Sequence, residues 1–171
     1  MKKVFKTIGW ILLIALIAIQ FFHPAKNSAA GEQPNAITKV HAVPDNVNAI
    51  LKKACNDCHS NNTAYPWYTK IQPVHWWLNN HIKDGKKEIN FDEYANRPLR
   101  FQYRKLEEII KQVKEDEMPL ENYTWLHKNA ILTQDEKNVL INWATASMDT
   151  MKAHYPIDSL VRKKPQTPST K

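Results

Sequence analysis

The sequence predicts an all-α protein, because glycine is rare and apolar residues follow helical periodicity. Glycine occurs only three times in 171 residues, at positions 9, 31 and 85. Apolar residues recur at helical spacing in several long segments, and no run is convincing as a parallel strand. The predicted order is a signal or anchor segment, a tether, one helical domain and a disordered tail, over residues 1–24, 25–43, 44–155 and 156–171.

The N-terminal segment has the pattern of an export signal. Met1–Lys6 is basic, and Ile8–Phe22 is an apolar run interrupted only by Gly9 and Gln20. This run gives roughly 22 Å of helix, short of the ~30 Å hydrocarbon core, although flanking residues extend it. We predict an uncleaved anchor helix in the bacterial inner membrane, with cleavage near Ala30 and a soluble periplasmic protein as the alternative. In both cases the domain lies on the periplasmic side.

The net charge of +7 does not indicate a nucleic-acid partner. Residues 31–155 hold equal numbers of basic and acidic residues, so the excess comes from the N-terminal lysines and the tail. The chain also lacks a basic stripe with interleaved aromatic residues. Residues 25–43 have no sustained periodicity and are predicted to be a tether. The Pro, Lys, Gln, Ser and Thr of residues 156–171 favour disorder.

The first helix of the domain is predicted to begin at Pro44–Asp45 and to lead into the only two cysteines. Its inward face repeats at i, i+3, i+4 and i+7, through Val47, Ile50, Leu51 and Ala54. The next residues, Cys55-Asn56-Asp57-Cys58-His59, form the haem c attachment pattern. Two thiols at this spacing add to the two vinyl groups of one haem edge, close enough for the adjacent histidine to reach the iron. We therefore predict one covalent haem c, with thioethers at Cys55 and Cys58 and with His59 as the proximal iron ligand.

The same five residues are also compatible with other kinds of site. A thioredoxin-type dithiol belongs beside a βαβ pattern, which this chain does not offer. A structural zinc site needs a fourth ligand and usually a second close pair. A disulfide between Cys55 and Cys58 is sterically possible in an oxidising compartment and stays open as an alternative.

Three further helices complete the predicted domain. After an aromatic loop at Tyr65–Tyr68, which either walls the haem or covers a small core, the second helix runs from Pro73 to Gly85. Its apolar face is predicted to be Val74, Trp77, Leu78 and Ile82, with His81 at the centre. The third runs over residues 101–115, with Tyr103, Leu106, Ile110 and Val113 facing inward. The last follows a Thr133–Glu136 capping box and buries Leu140, Trp143, Ala144, Ser147, Met148 and Met151.

The distal iron ligand is predicted to be Met118, in the loop after the third helix. Pro119 restricts the chain beside it, and the loop lies between two amphipathic helices. Met148 and Met151 fall on the buried stripe of the last helix, where packing explains them. His81 is the reserve candidate, with His127 behind it.

The order of parts resembles that of class I cytochromes c, and several strings resemble the bacterial haem-binding-domain family over about residues 20–155. The strings are Ala54–Asn61, Tyr65–Tyr68, His81–Gly85, Asn90–Phe91, Asp116–Pro119, Tyr123 and Leu126–His127. The chain departs from the family at His23, where a basic residue is expected, and at Tyr94, where tryptophan is expected. The resemblance implies a small, exported single-haem protein, often with an N-terminal anchor, in a family where some members are fused to dihaem peroxidase domains.

The predicted function is a monohaem c-type cytochrome that relays single electrons on the periplasmic face of the membrane. Its partners would be redox proteins of the periplasm or membrane, and the inner membrane through its N-terminal helix. It is more a carrier than an enzyme, because two axial ligands leave the iron no open position. The alternative is a haem enzyme or sensor, responsive to peroxide or gas, with an open or displaceable sixth position. A dithiol redox protein is a third, weaker alternative.

Overall fold

The computed structural model describes residues 1–162, and this part of the chain is helical. Its α-helices are α1 Lys2–Ile19, α2 Asp45–Ala54, α3 Asn56–His59, α4 Val74–Glu88, α5 Leu99–Lys114, α6 Glu121–Leu126, α7 Gln134–His154 and α8 Ile157–Leu160. Short 3-10 helices cover Ile37–Lys39, Trp67–Lys70, Phe91–Glu93 and Lys128–Ala130. Within residues 1–162, extended pairing is limited to an isolated antiparallel bridge between Ser28 and Asn62. The all-α prediction is confirmed.

The core lies between α5 and α7, which pack along each other. The helix α2 crosses α7, and α8 closes against α5 and α7. Leu106 and Leu140 meet in this core with less than 2% of their surface exposed. The predicted capping box is confirmed: the Glu136 N–H donates to the Thr133 hydroxyl, and the Thr133 N–H donates to the Glu136 carboxylate. All six residues predicted on the inner face of this helix are buried.

The predictions for α2 and α5 hold closely, whereas α4 differs in length and in face. Leu78 and Ile82 are buried as predicted, but Trp77 is exposed and His75 is buried in its place. The helix also continues for three residues beyond Gly85, which was predicted to end it. A glycine lies inside this helix because of a close contact with α3, described below.

The segment predicted as a tether is packed against the domain. Ile37 is part of the hydrophobic core, and the Ala95 N–H donates to the Asn35 carbonyl at 2.8 Å. At the other end, Leu160 is buried in the same core. Residues 163–171, which make up most of the predicted tail, lie outside the described residues.

The predicted anchor segment forms α1, none of whose residues is buried. Over Gly9–Ile19 the helix is apolar on every side. Among residues 1–162, no helix combines the length and the apolar character needed to cross a membrane.

Candidate functional site

A cavity of about 750 Å³ brings most of the predicted site residues together. Cys55, Cys58 and His59 line it, as do Met118 and His81. Its walls come from α2, α3, α4, α5 and the loop before α6, with further contributions from Ile89, Phe91, Tyr123 of α6 and Leu140 of α7. The volume lies within the roughly 300–1,000 Å³ typical of ligand and cofactor sites. A more open groove of about 500 Å³ beside α7 contains none of these residues.

Hydrogen bonds fix one ring nitrogen of His59 and leave the lone pair of the other nitrogen free. Its Nδ1–H donates to the carbonyls of Gly85 and Ile89, at 2.9 and 3.0 Å. Because carbonyls only accept, Nδ1 carries the proton and Nε2 keeps the lone pair in the neutral ring. Burial lowers the pKa of His59, which favours that neutral form. Across residues 1–162, no hydrogen bond is made to Nε2, so this atom is available as a metal ligand.

Gly85 explains how α4 approaches the cysteine motif so closely. A Cβ atom at this position would lie 2.7 Å from the carbonyl oxygen of Cys58 and 3.1 Å from its Cβ. Both atoms belong to or adjoin the backbone of α3, so neither can move away without shifting that helix. The lack of a side chain therefore lets the Gly85 carbonyl reach His59. The sequence pattern had instead predicted that Gly85 ends the helix.

Gly85→Ala should lower the free energy of unfolding by about 1–3 kcal/mol, the usual cost of overpacking. The added methyl forces α3 and α4 apart and lengthens the hydrogen bonds to His59 Nδ1. Urea unfolding of the haem-loaded protein measures the change. Gly9→Ala is the matched control, since its Cβ meets nothing within 4 Å and the mutation should leave stability equal or slightly higher. Equal stability of both variants would contradict the close-contact explanation.

The two cysteines are free thiols in a protected setting. Burial raises the pKa of Cys55 to about 12 and that of Cys58 to about 11, with smaller contributions from Cys58 and Asp57 respectively. Reactive dithiols work through thiolates whose pKa is lowered by a positive surrounding. This environment does the opposite, which disfavours the dithiol alternative.

The three candidates for the distal position differ in their placement. Met118 lies in the loop after α5 and lines the cavity with its neighbours Pro119 and Leu120. His81 lies one turn before Gly85 on α4, on the wall that already holds His59, and its ring packs at a tilt against Trp77, with ring centres 4.2 Å apart. His127 does not line the cavity. Its Nε2 is hydrogen-bonded to the Tyr68 hydroxyl at 2.5 Å.

A tyrosine not assigned a role from the sequence ties α6 to the cysteine motif. The Tyr123 hydroxyl donates to the Asp57 carboxylate at 2.8 Å, and the Ala64 N–H donates to the other carboxylate oxygen at 2.9 Å. Burial, and then the bond to Asp57, raises the pKa of Tyr123. The ring also stacks on His127 at 4.2 Å and lines the cavity. These two hydrogen bonds thus fix Asp57 of α3, which lies between the two cysteines.

Lys105 is a second cavity residue that sequence reasoning missed. Its side chain is 4% exposed, and its ammonium group contacts the carboxylates of Glu88 and Glu108 at 2.8 and 2.5 Å. These partners offset the cost of burying the charge. A signal was present, because Lys105, Ile109 and Gln112 recur at i, i+4 and i+7 and all line the cavity.

The aromatic loop Tyr65–Tyr68 does not wall the cavity. The Tyr65 ring packs against His75 at 5.9 Å, the Tyr68 hydroxyl bonds His127, and Trp67 is exposed to solvent. Of the two interpretations, the loop therefore serves as cover for neighbouring elements.

Comparison with known families identifies the cofactor class. Residues 14–146 match the model of the haem-binding domain family. The chain belongs to this family. No curated protein and no solved structure matched the chain. For a haem-binding domain the cavity is chemically suitable, because it combines apolar walls with an imidazole nitrogen whose lone pair is free.

Proposed function

We propose that this haem-binding domain protein is a monohaem c-type cytochrome that relays single electrons. The observation that carries the proposal is one cavity lined by Cys55, Cys58, His59 and Met118, in which the Nδ1 of His59 is fixed by two carbonyls. The order of these parts along helices and loops also fits a class I cytochrome c-like domain.

Each residue has a defined task in the proposal. Cys55, at the end of α2, and Cys58, on α3, would hold the haem through two thioether links. His59 presents Nε2 to the iron, and the carbonyls of Gly85 and Ile89 make it a stronger electron donor through Nδ1. Met118 would supply a thioether sulfur from the loop after α5, whereas His59 is held by α3 and α4. When bound, haem supplies one-electron redox chemistry at its iron.

The surroundings suit a carrier better than an enzyme. The His59 ring sits edge-on to the Phe91 ring, with ring centres 6.1 Å apart, and burial lowers its pKa, so it would serve as a neutral ligand. With Met118 as the second ligand, a substrate has no position at which to bind. Burial and the identity of the ligands would then set the reduction potential of the iron, and the protein would perform no reaction on a substrate.

The packing of residues 20–29 supports an uncleaved N-terminus, which would keep the apolar helix α1 attached to a domain that we place on the periplasmic face of the membrane. Asn27 donates to the Ser60 carbonyl at 2.9 Å and to the Thr63 hydroxyl at 2.9 Å, and it accepts from Lys86 at 2.7 Å. The Phe22 carbonyl accepts from the Gln72 side chain, which is fully buried. Cleavage near Ala30 would leave these groups without partners. Its partners would be redox proteins of the same compartment.

Absorption spectroscopy of protein matured in a haem c-competent host tests the carrier proposal. We expect low-spin spectra in the oxidised and reduced states, and no change when carbon monoxide is added to the reduced protein. Both expectations follow from two protein ligands on the iron. Ready binding of carbon monoxide by wild type would favour the haem enzyme or sensor.

A further inference from the structure

The end of α1 is clamped to the domain by hydrogen bonds to Gln72 and Trp76. The Gln20 side chain and the Gln72 backbone exchange two hydrogen bonds, at 2.9 and 3.1 Å. The Phe22 carbonyl accepts from the Gln72 amide at 2.9 Å and from the Trp76 indole at 3.0 Å. Since Gln72 is fully buried, this junction is part of the folded domain. The apolar helix therefore leaves the domain at a fixed place.

Large apolar side chains are exposed around this junction. They form a set that we call the junction face: Phe21, Phe22, Trp67, Ile71 and Trp76. Trp67 is 74% exposed and Ile71 is 49% exposed, although each lies within two residues in sequence of a buried residue, Thr69 and Gln72 respectively. Isolated exposed apolar residues are ordinary, but a set next to an apolar helix indicates an interaction surface.

The segments that form the junction face carry basic residues and no acidic ones. Residues 1–31 and 58–83 contain no Asp or Glu, although the chain has 17 acidic residues. The same two segments hold six lysines, and Lys26 and Lys70 are exposed beside the junction. Lysines beside exposed tryptophans match the headgroup region of a bilayer that contains anionic lipid.

We propose that the junction face rests on an anionic lipid bilayer that also takes up the apolar side chains of α1. This inference rests on the proposed membrane association and adds to it a fixed orientation of the domain. A bilayer is favoured over a protein partner because Gly9–Ile19 is apolar all round, and a partner would cover only one side. Contact with the bilayer surface does not require α1 to cross it.

The orientation has a consequence for the site. The helix α4 carries Trp76 of the junction face near its N-terminal end and lines the cavity from His81 to Glu88. The five residues from Trp76 to His81 span about 8 Å of helix, and the nine to Gly85 span about 14 Å. The clamp would therefore hold the cavity at a set distance from the lipid surface, as a carrier that serves membrane-bound partners needs.

Hydrogen–deuterium exchange of the full-length, haem-loaded protein tests the proposal. The protein is compared alone, with phosphatidylglycerol–phosphatidylethanolamine vesicles and with phosphatidylcholine vesicles. We expect peptides from residues 64–78 to exchange several-fold more slowly with the anionic vesicles, along with peptides from α1. Peptides from residues 155–162 should not change.

Paired variants locate the contact. Trp67→Ser with Ile71→Ser should abolish the lipid-dependent protection of residues 64–78 while α1 stays protected. Ile157→Ser is the matched control, because Ile157 is 54% exposed but lies on α8, which packs on α5 and α7. The haem absorption spectrum should be the same in all variants.

The other outcomes each overturn the inference in a recognisable way. Protection of α1 alone would show that the domain is free of the bilayer. No protection anywhere, with an intact haem spectrum, would remove the membrane association as well and leave the electron-carrier proposal standing. If residues 64–78 are protected in the absence of lipid, and this protection increases with protein concentration, the junction face binds a second copy of the chain.

Discussion

Haem should remain on the wild-type protein through denaturation and acid–acetone extraction, and the double variant Cys55→Ala, Cys58→Ala should lose all covalently bound haem. Two thioether bonds survive conditions that remove a ligand held by iron coordination and packing alone. Each single variant should keep one bond and retain attached haem at a lower yield. Intact-protein mass spectrometry and pyridine haemochrome spectra measure attachment directly.

His81→Ala is the control for this experiment, because it changes the same cavity without touching a thiol. It should keep haem attached at the wild-type level. If extraction strips the haem from wild type, attachment is not covalent and the c-type assignment fails, although binding by His59 and the cavity would stand. Haem that stays bound to the double variant but becomes extractable would show that the cavity holds the cofactor without the thiols.

Much of the helical framework could be predicted from local sequence. The stripe of α7 and its capping box are read from neighbours three and four residues apart, so Leu140, Trp143 and Met151 were all predicted correctly. The haem c attachment at the cysteine motif stays a prediction, and it can be made because its chemistry lies within five consecutive residues. In both cases the determining contacts are close in sequence.

The parts that could not be predicted depend on contacts between distant segments. Gly85 was interpreted as a helix end, since the pattern carries no sign that Cys58 lies against it. Residues 25–43 lack periodicity, yet Ile37 fills the core and Asn27 joins the loop after α3. The buried face of α4 differs from the predicted one for the same reason: the rings of His23 and Tyr65 pack against His75, while Trp77 stays exposed.

The distal ligand decides how the protein works, and the arrangement of the cavity favours Met118 over His81. A distal ligand must reach the iron from the side opposite to His59. His81 shares α4 with Gly85, whose carbonyl holds His59, whereas Met118 comes from the separate loop after α5. The Met118 N–H donates to the Gln112 carbonyl, which fixes this loop to the end of α5.

Met118→Ala should therefore have the largest effect of any single change on the redox behaviour. Loss of the thioether removes the near-infrared iron–sulfur charge-transfer band of the oxidised protein and lets the reduced protein bind carbon monoxide. The reduction potential should fall by on the order of 0.1 V, within the roughly 0.8 V range over which axial ligands act. Spectroelectrochemical titration measures the band and the potential on one sample.

His81→Ala provides the matched comparison from the same cavity. It should keep the charge-transfer band, resist carbon monoxide and shift the potential little, because the ring of His81 packs against Trp77 and its Nδ1 is hydrogen-bonded to the Trp77 carbonyl. If wild type lacks the band and His81→Ala is the variant that admits carbon monoxide, His81 is the ligand and Met118 is an ordinary loop residue. If wild type lacks the band and already binds carbon monoxide, neither residue occupies the sixth position, and the haem enzyme or sensor becomes the better description.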